Sequence, residues 1–413
     1  MKATIIGSVA ALLLVATPLT IRIAGAQSVG SKAKVPPCVP NIPSKGDVLV
    51  TGGENRGPGG DQSETGQTEF FHVATGQWMT GCPTKVAHDE AQLLPYKTGL
   101  LEIGGESSKL DRKDDHILNS TTEFYDPATG KFKLGPALRI NLEDFAAVAL
   151  NDGSLMVIGG ITNSDKELPV KTAEILKKGT WKTLKHKMSI PRAAPCAAVM
   201  TAGPKAEQVL IAGGTDTSEF APQLASAELY NPATGTFTLT SNQMNQGRSY
   251  AVCTALNDGT VLITGGIDNN GNAYDTAEIY NPATDRFTFT NNNMSDPRVD
   301  HSATLLNDGT VLVAGGETTY SGAFNPLDTA DLYDPATGKF TALPTMNDIR
   351  DDSTATLIKG SGTALDGQVL IAGGFTFSSS ENTAELYDPA HQTFTPTSDM
   401  NFVHGAANAA VIP

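Results

Sequence analysis

Four arginines recur in one setting along this chain. Met188, Met244, Met294 and Met346 are each followed four residues later by Arg192, Arg248, Arg298 and Arg350, and Met400 is followed at that interval by His404. Two residues further on stand Ala194, Tyr250, Asp300, Asp352 and Ala406, and counting back from the turns that follow adds Glu90 and Asp144 to the set. His301 adjoins Asp300. Guanidinium forks and carboxylates gathered at one place are the groups that orient sugar hydroxyls or peptide backbone. The same spacing also lets each arginine hold the acid two residues on as a salt bridge, with no ligand involved. These eleven charged and polar residues are the candidate binding set. No catalytic set stands beside them: HExxH, GxSxG and a phosphate-binding loop leading into a helix are all missing from the sequence. The acidic loop LDRKDDH (110–116) lacks the spaced oxygen ligands of a calcium loop and reads as solvated charge. No metal site and no cofactor are expected.

The elements that must position these residues come from a repeat. Near-identical stretches such as LNDGTVLVAGG end in a diglycine whose second member falls at 53, 105, 160, 214, 266, 316 and 374. A period near fifty, repeated this often, marks a repeat architecture. Within Arg298–Leu343, RVDHSATLL reads as a strand and Asn307-Asp308-Gly309 as a tight hairpin turn. TVLVAGG is the near-continuous apolar run of a strand covered on both faces. TADLYDP is a third strand, the DPATG turn follows, and KFTAL is a fourth. Four antiparallel strands, seven times over and with no helical periodicity between, predict an all-β seven-bladed propeller in which each sheet buries its faces against its neighbours.

Tyr125 and Phe132, Tyr230 and Phe237, Tyr280 and Phe287, Tyr333 and Phe340, Tyr387 and Phe394, and Phe71 and Trp78 are each seven apart; the third repeat departs, with Ile175 and Trp181 six apart. Diglycine, aromatic and second aromatic at this interval resemble the kelch signature over about residues 46–413. The first repeat enters at its second strand, GDVLVTGG, and the chain finishes on HGAANAAVIP, which looks like the missing first strand. The resemblance implies that both termini complete one blade, so that the C-terminal strand closes the ring and removes its exposed edges.

First-to-second and third-to-fourth turns share one face and are short. The second-to-third loops on the opposite face are long and dissimilar, at 52–67, 104–121, 213–226 and 315–328. Variable loops on a rigid scaffold are where function gathers. First strands are innermost in kelch blades and begin on that face, which would make the arginines and acids a charged collar at one mouth of the central channel.

The best-known seven-bladed kelch enzymes are the copper-radical oxidases, galactose oxidase and glyoxal oxidase. The resemblance implies a copper-ligand tyrosine two residues after the strand's arginine, where Tyr250 stands, cross-linked to a cysteine of the preceding blade. Cys196 lies in that blade but about one residue out of register. The family also needs a Tyr-His pair, and the nearest thing here is Asp300-His301. Copper is therefore implied only under the alternative of a diverged oxidase.

Residues 1–26 have the lysine, apolar stretch and Ala24-Gly25-Ala26 site of a secretory signal peptide, followed by a Pro-rich leader over 27–45. Losing Lys2 and Arg22 takes the formal charge from −15 to −17. An acidic surface disfavours nucleic acid and anionic membrane as partners. Four cysteines in an exported chain are candidates for oxidation. A Cys38–Cys82 bridge is expected to tie down the leader; Cys196 and Cys253 sit in equivalent strands, where a bridge and two free thiols are both open. The expectation is a secreted or periplasmic monomer that binds a protein or carbohydrate ligand on the long-loop face without catalysis of its own.

Overall fold

The computed structural model describes residues 38–413 except 57–61, 108–116, 119, 163–167, 218–221 and 321–322. The segment read as a signal peptide, the leader up to Pro37 and the LDRKDDH loop lie outside the described residues.

The tight turns and double-covered strands read from the repeat build seven sheets of four antiparallel strands each. The innermost strands are Gln92–Tyr96, Ala146–Ala149, Cys196–Val199, Val252–Ala255, Ser302–Leu305, Thr354–Leu357 and Asn408–Val411. Each lies beside the next, and Asn408–Val411 lies beside Gln92–Tyr96, so the ring closes. In the closing blade the C-terminal strand pairs with Val48–Thr51 in the register Val50↔Ala409, as the broken first repeat predicts.

The second strand of every blade is buried along its whole length, and Val311, Leu312 and Val313 are fully removed from solvent. Each such side chain contributes about 1.5–3 kcal/mol by leaving water. The aromatic pairs of the third and fourth strands pack with their rings tilted, the Tyr333 and Phe340 centroids 5.0 Å apart at an interplanar angle of 48°. The third blade corrects the spacing read there. Leu176, not Ile175, faces Trp181, because a two-residue turn at Lys178-Gly179 replaces the longer one.

The diglycines join blades. Gly316 donates its amide to the Arg350 carbonyl of the next blade at 2.8 Å, and a Cβ on Gly315 would meet that same oxygen at 2.5 Å. Only a residue without a side chain permits this approach.

Candidate functional site

Each innermost strand is entered through the same three residues. In the sixth blade they are Arg298, Val299 and Asp300. The first is turned inward to the sheet, the second bridges to the residue after its own blade's diglycine, and the third has left-handed backbone. Glu90, Asp144, Ala194, Tyr250, Asp300, Asp352 and Ala406 all have φ between 45° and 53°, one per blade. Their amides knit the blades together at the mouth: Ala194 N donates to Asp144 O (2.8 Å), Tyr250 N to Ala194 O (3.1 Å) and Asp352 N to Asp300 O (3.1 Å).

This turn divides the candidate residues into two groups. Glu90, Asp144, Tyr250, Asp300, His301 and Asp352 line one cavity of about 540 Å³ at the mouth. Arg192, Arg248, Arg298, Arg350 and His404 do not join them; all five are at most 1 % exposed inside their blades. The expected mixed collar, and the arginine–acid pairs at spacing two, are therefore corrected. Arg192 pairs with Glu228, Arg248 with Glu278, Arg298 with Asp331, Arg350 with Glu385 and His404 with Glu69, each acid on the third strand of the same blade. His88 with Glu123 is a sixth instance, which the methionine register did not reveal. Arg298 also donates through Nη1 to the Gly315 and Thr329 carbonyls (2.8 and 3.1 Å), clamping the diglycine to the third strand.

The long-loop face supplies the rest of the cavity wall: Arg56, Glu317, Tyr320, Phe324 and Phe375. Asp351, inside the Arg350–Asp352 stretch, also lines it. These residues were missed by the strand register. Glu54, Glu106 and Glu317 share a usable signal, since each follows a diglycine directly.

Among the described residues of the cavity wall, Arg56 is the one cationic side chain. Its guanidinium lies 4.2 Å over the Phe375 ring and reaches Glu54 at 3.3 Å. Facing it are the carboxylates of Glu90, Asp144, Asp300, Glu317, Asp351 and Asp352. Burial, then repulsion from Asp352, pushes Asp351 up to about 9. Burial and Glu317 push Asp352 up to about 7. Burial and Asp352 hold Asp300 well above the ordinary carboxylate range. On the other side Tyr250 donates to Asp144 at 2.9 Å and stacks on Tyr320 with centroids 4.9 Å apart. Burial, then Asp144, raises the Tyr250 phenol far above its usual value, so it remains protonated.

His301 points elsewhere. Its Nε2 lies 2.8 Å from Thr264 Oγ1, and burial with Arg298 and Arg248 nearby holds the ring down to about 3, hence neutral. Cys196 is bonded to Cys253 across the boundary between adjacent blades, and Cys38 is bonded to Cys82 with Cα atoms 5.7 Å apart. The copper donor set of a radical oxidase does not fit these residues. Tyr250 is at the mouth, but Cys196 is engaged in the disulfide and Asp300 stands where the family's second tyrosine would; His301 spends its Nε2 on Thr264.

The Kelch motif family model matches residues 248–294 and 361–401. No curated protein matches the sequence. Among solved structures, the chain is similar to a fungal alcohol oxidase of the AA5 family in complex with copper, with a TM-score of 0.59 and 18 % identity. That match covers 76 % of this chain and 66 % of the oxidase chain, just under two thirds of its length. At this identity the likeness is one of fold. The seven sheets and the closed ring make the chain a seven-bladed β-propeller, which carries Kelch motifs at 248–294 and 361–401 and is similar in fold to that oxidase.

Proposed function

We propose that this propeller is a non-catalytic binding module, exported and monomeric, that seats a basic side chain of a protein partner in the mouth of its channel. The observation that supports it is the charge of the cavity wall, where six carboxylates face one arginine already held by Glu54 and Phe375. A lysine or arginine entering the cavity relieves that repulsion, and the stacked Tyr250–Tyr320 pair offers an aromatic wall for its methylene stem or its charge. A neutral carbohydrate gains only hydroxyl-to-carboxylate hydrogen bonds there. Export is supported by two disulfides, which persist in oxidising compartments. Among the described residues, no helix is long and apolar enough to cross a membrane.

Titration calorimetry with lysine- and arginine-rich peptides tests this reading. Binding that weakens with added salt and is lost in the Glu90→Gln/Asp144→Asn protein supports it. Binding of neutral glycans but not of basic peptides would overturn it in favour of a carbohydrate module.

The second reading is a diverged copper-radical oxidase, favoured by Tyr250 standing at the mouth of a propeller with this fold. It requires a Tyr250–Cys196 cross-link and copper uptake.

A further inference from the structure

Asp300 and Asp352 occupy the same left-handed position on adjacent blades, with φ of 51° and 49°, and the Asp352 amide donates to the Asp300 carbonyl. That hydrogen bond sets the two side chains next to each other. Asp351 arrives from the residue before, fixed by backbone hydrogen bonds in both directions with Phe375. Each of the three aspartates presents one carboxylate oxygen, and these oxygens lie within 4.8 Å of one another. Oxygen ligands held 2.3–2.6 Å from one calcium ion span about that distance.

A second observation is independent of this spacing. Asp351 is only 4 % exposed, and its Oδ1 has no hydrogen-bond partner among the described residues. Most buried polar side-chain atoms have a partner, so an unpartnered carboxylate oxygen beside two further carboxylates in a cavity wall is open to a cation that arrives from outside. Arg56 acts electrostatically on both Asp351 and Asp352, yet its guanidinium is placed over Phe375 and on Glu54.

We propose that Asp300, Asp351 and Asp352 form a site for one hard divalent cation, calcium foremost, at the mouth of the propeller. An all-carboxylate set suits calcium or manganese, and copper is disfavoured because it prefers nitrogen donors, which these three residues do not offer. The three aspartates also belong to the acidic wall that supports the seating of a basic side chain, but the cation site rests on their own geometry, and terbium binding reads it separately from peptide binding. The ion neutralises carboxylates that otherwise repel, and it displaces their protons as it binds.

Terbium luminescence on the purified full chain, after dialysis against EDTA, tests the site. Terbium substitutes for calcium, and Tyr320, near enough to Asp300 to feel its charge, serves as the sensitiser together with Tyr250. One terbium per chain, displaced by calcium and bound more tightly as pH rises, is the expected result. Asp351→Asn/Asp352→Asn should weaken it by about a hundredfold or more, since even outer residues of metal sites are worth 10–100-fold. Asp258 is exposed in the Asn257-Asp258-Gly259 turn, outside the cavity wall, and Asp258→Asn removes the same kind of charge while keeping the side-chain oxygen that caps Thr260. It should leave affinity within about threefold, which shows that the loss is local and not due to general charge. Asp300→Asn, which suits the left-handed backbone, provides a folded third variant that must also lose affinity. Absence of terbium binding, equal binding by the double variant, failure of calcium to displace it, or a preference for copper(II) would each overturn the proposal.

Discussion

Arg298 Nη2 lies 2.9 Å from Asp331 Oδ2 inside the sixth blade, with both side chains at most 1 % exposed. The pair is a strut of the fold. It ties the residue that enters the innermost strand to the third strand, and the Gly315 carbonyl is held between them. Removing one partner of a buried pair leaves an uncompensated charge, costing about 3–5 kcal/mol. Arg298→Ala should therefore lower the urea midpoint by the equivalent of that figure. Asp300→Asn should leave the midpoint unchanged or raise it, because Asp300 has acidic neighbours and no arginine partner. Equal destabilisation by both substitutions, measured by chemical denaturation, would restore the pairing at spacing two.

Stability should fall as pH rises through the range in which the mouth ionises. Asp352 is pushed up to about 7, Asp89 up to about 8 and Asp351 up to about 9, in each case first by burial. A folded carboxylate with a raised pKa binds more protons than its unfolded counterpart, so its contribution is complete below about pH 4 and is lost as pH climbs through the folded value. His301, held down to about 3, works in the opposite direction below about pH 6.5. Between about pH 7 and 9 the His301 effect is absent, and the carboxylates act in the same direction as buried His88, whose folded value is also raised. In EDTA the melting temperature should drop across that window, and Asp351→Asn/Asp352→Asn should flatten the slope. A melting temperature that rises over the same range would contradict the assigned directions.

The blade architecture was legible because its turns and diglycines are chemically obligatory. Gly309 at φ 90° closes the hairpin expected of Asn-Asp-Gly, and the apolar second strands are buried from end to end. The collar was half legible for a definite reason. Period-two alternation assigns Arg298 and Asp300 to one face, but Asp300 has φ 51° and the regular strand begins only at Ser302. The left-handed residue breaks the alternation, sending the arginine into the sheet and leaving the aspartate at the mouth. The true partners had a signal of their own: Glu228, Glu278, Asp331 and Glu385 each stand two residues before a third-strand tyrosine. Asp351 had only a positional one: it is the second residue of the entry triplet, bridged to the residue after the diglycine and buried like Asp89, Glu143, Ala193, Ser249 and Val299 in the other blades.

Ring closure by the C-terminal strand should be indispensable. Asn408–Val411 is hydrogen-bonded along Val48–Thr51, and the Gly405 carbonyl accepts from Glu54 N at 2.7 Å. Deleting Gly405–Pro413 would leave Val48–Thr51 as an unpaired apolar edge, which is a template for aggregation. The truncated protein should elute as aggregate on size exclusion or melt well below the full chain. A monomer with an unchanged melting temperature would show that the ring does not need this strand.

The two disulfides separate the binding module from the oxidase most directly. Cys38–Cys82 encloses 44 residues of separation and Cys196–Cys253 encloses 57, and each should contribute about 2–4 kcal/mol by restricting the unfolded chain. Peptide mapping without reduction should recover both pairs, and reduction should lower the melting temperature. Cys196 is the informative residue, because a radical oxidase needs its sulfur on the Tyr250 ring, whereas here it is bonded to Cys253 within the wall of the channel. Tyr250→Phe should then cost no more than the hydrogen bond to Asp144, about 0.5–1.5 kcal/mol, with the Cys196–Cys253 peptide unchanged. If copper-treated protein instead yields a Cys196 peptide joined to the Tyr250 peptide through a bond that survives reduction, the disulfide assignment falls and the oxidase reading replaces the binding module.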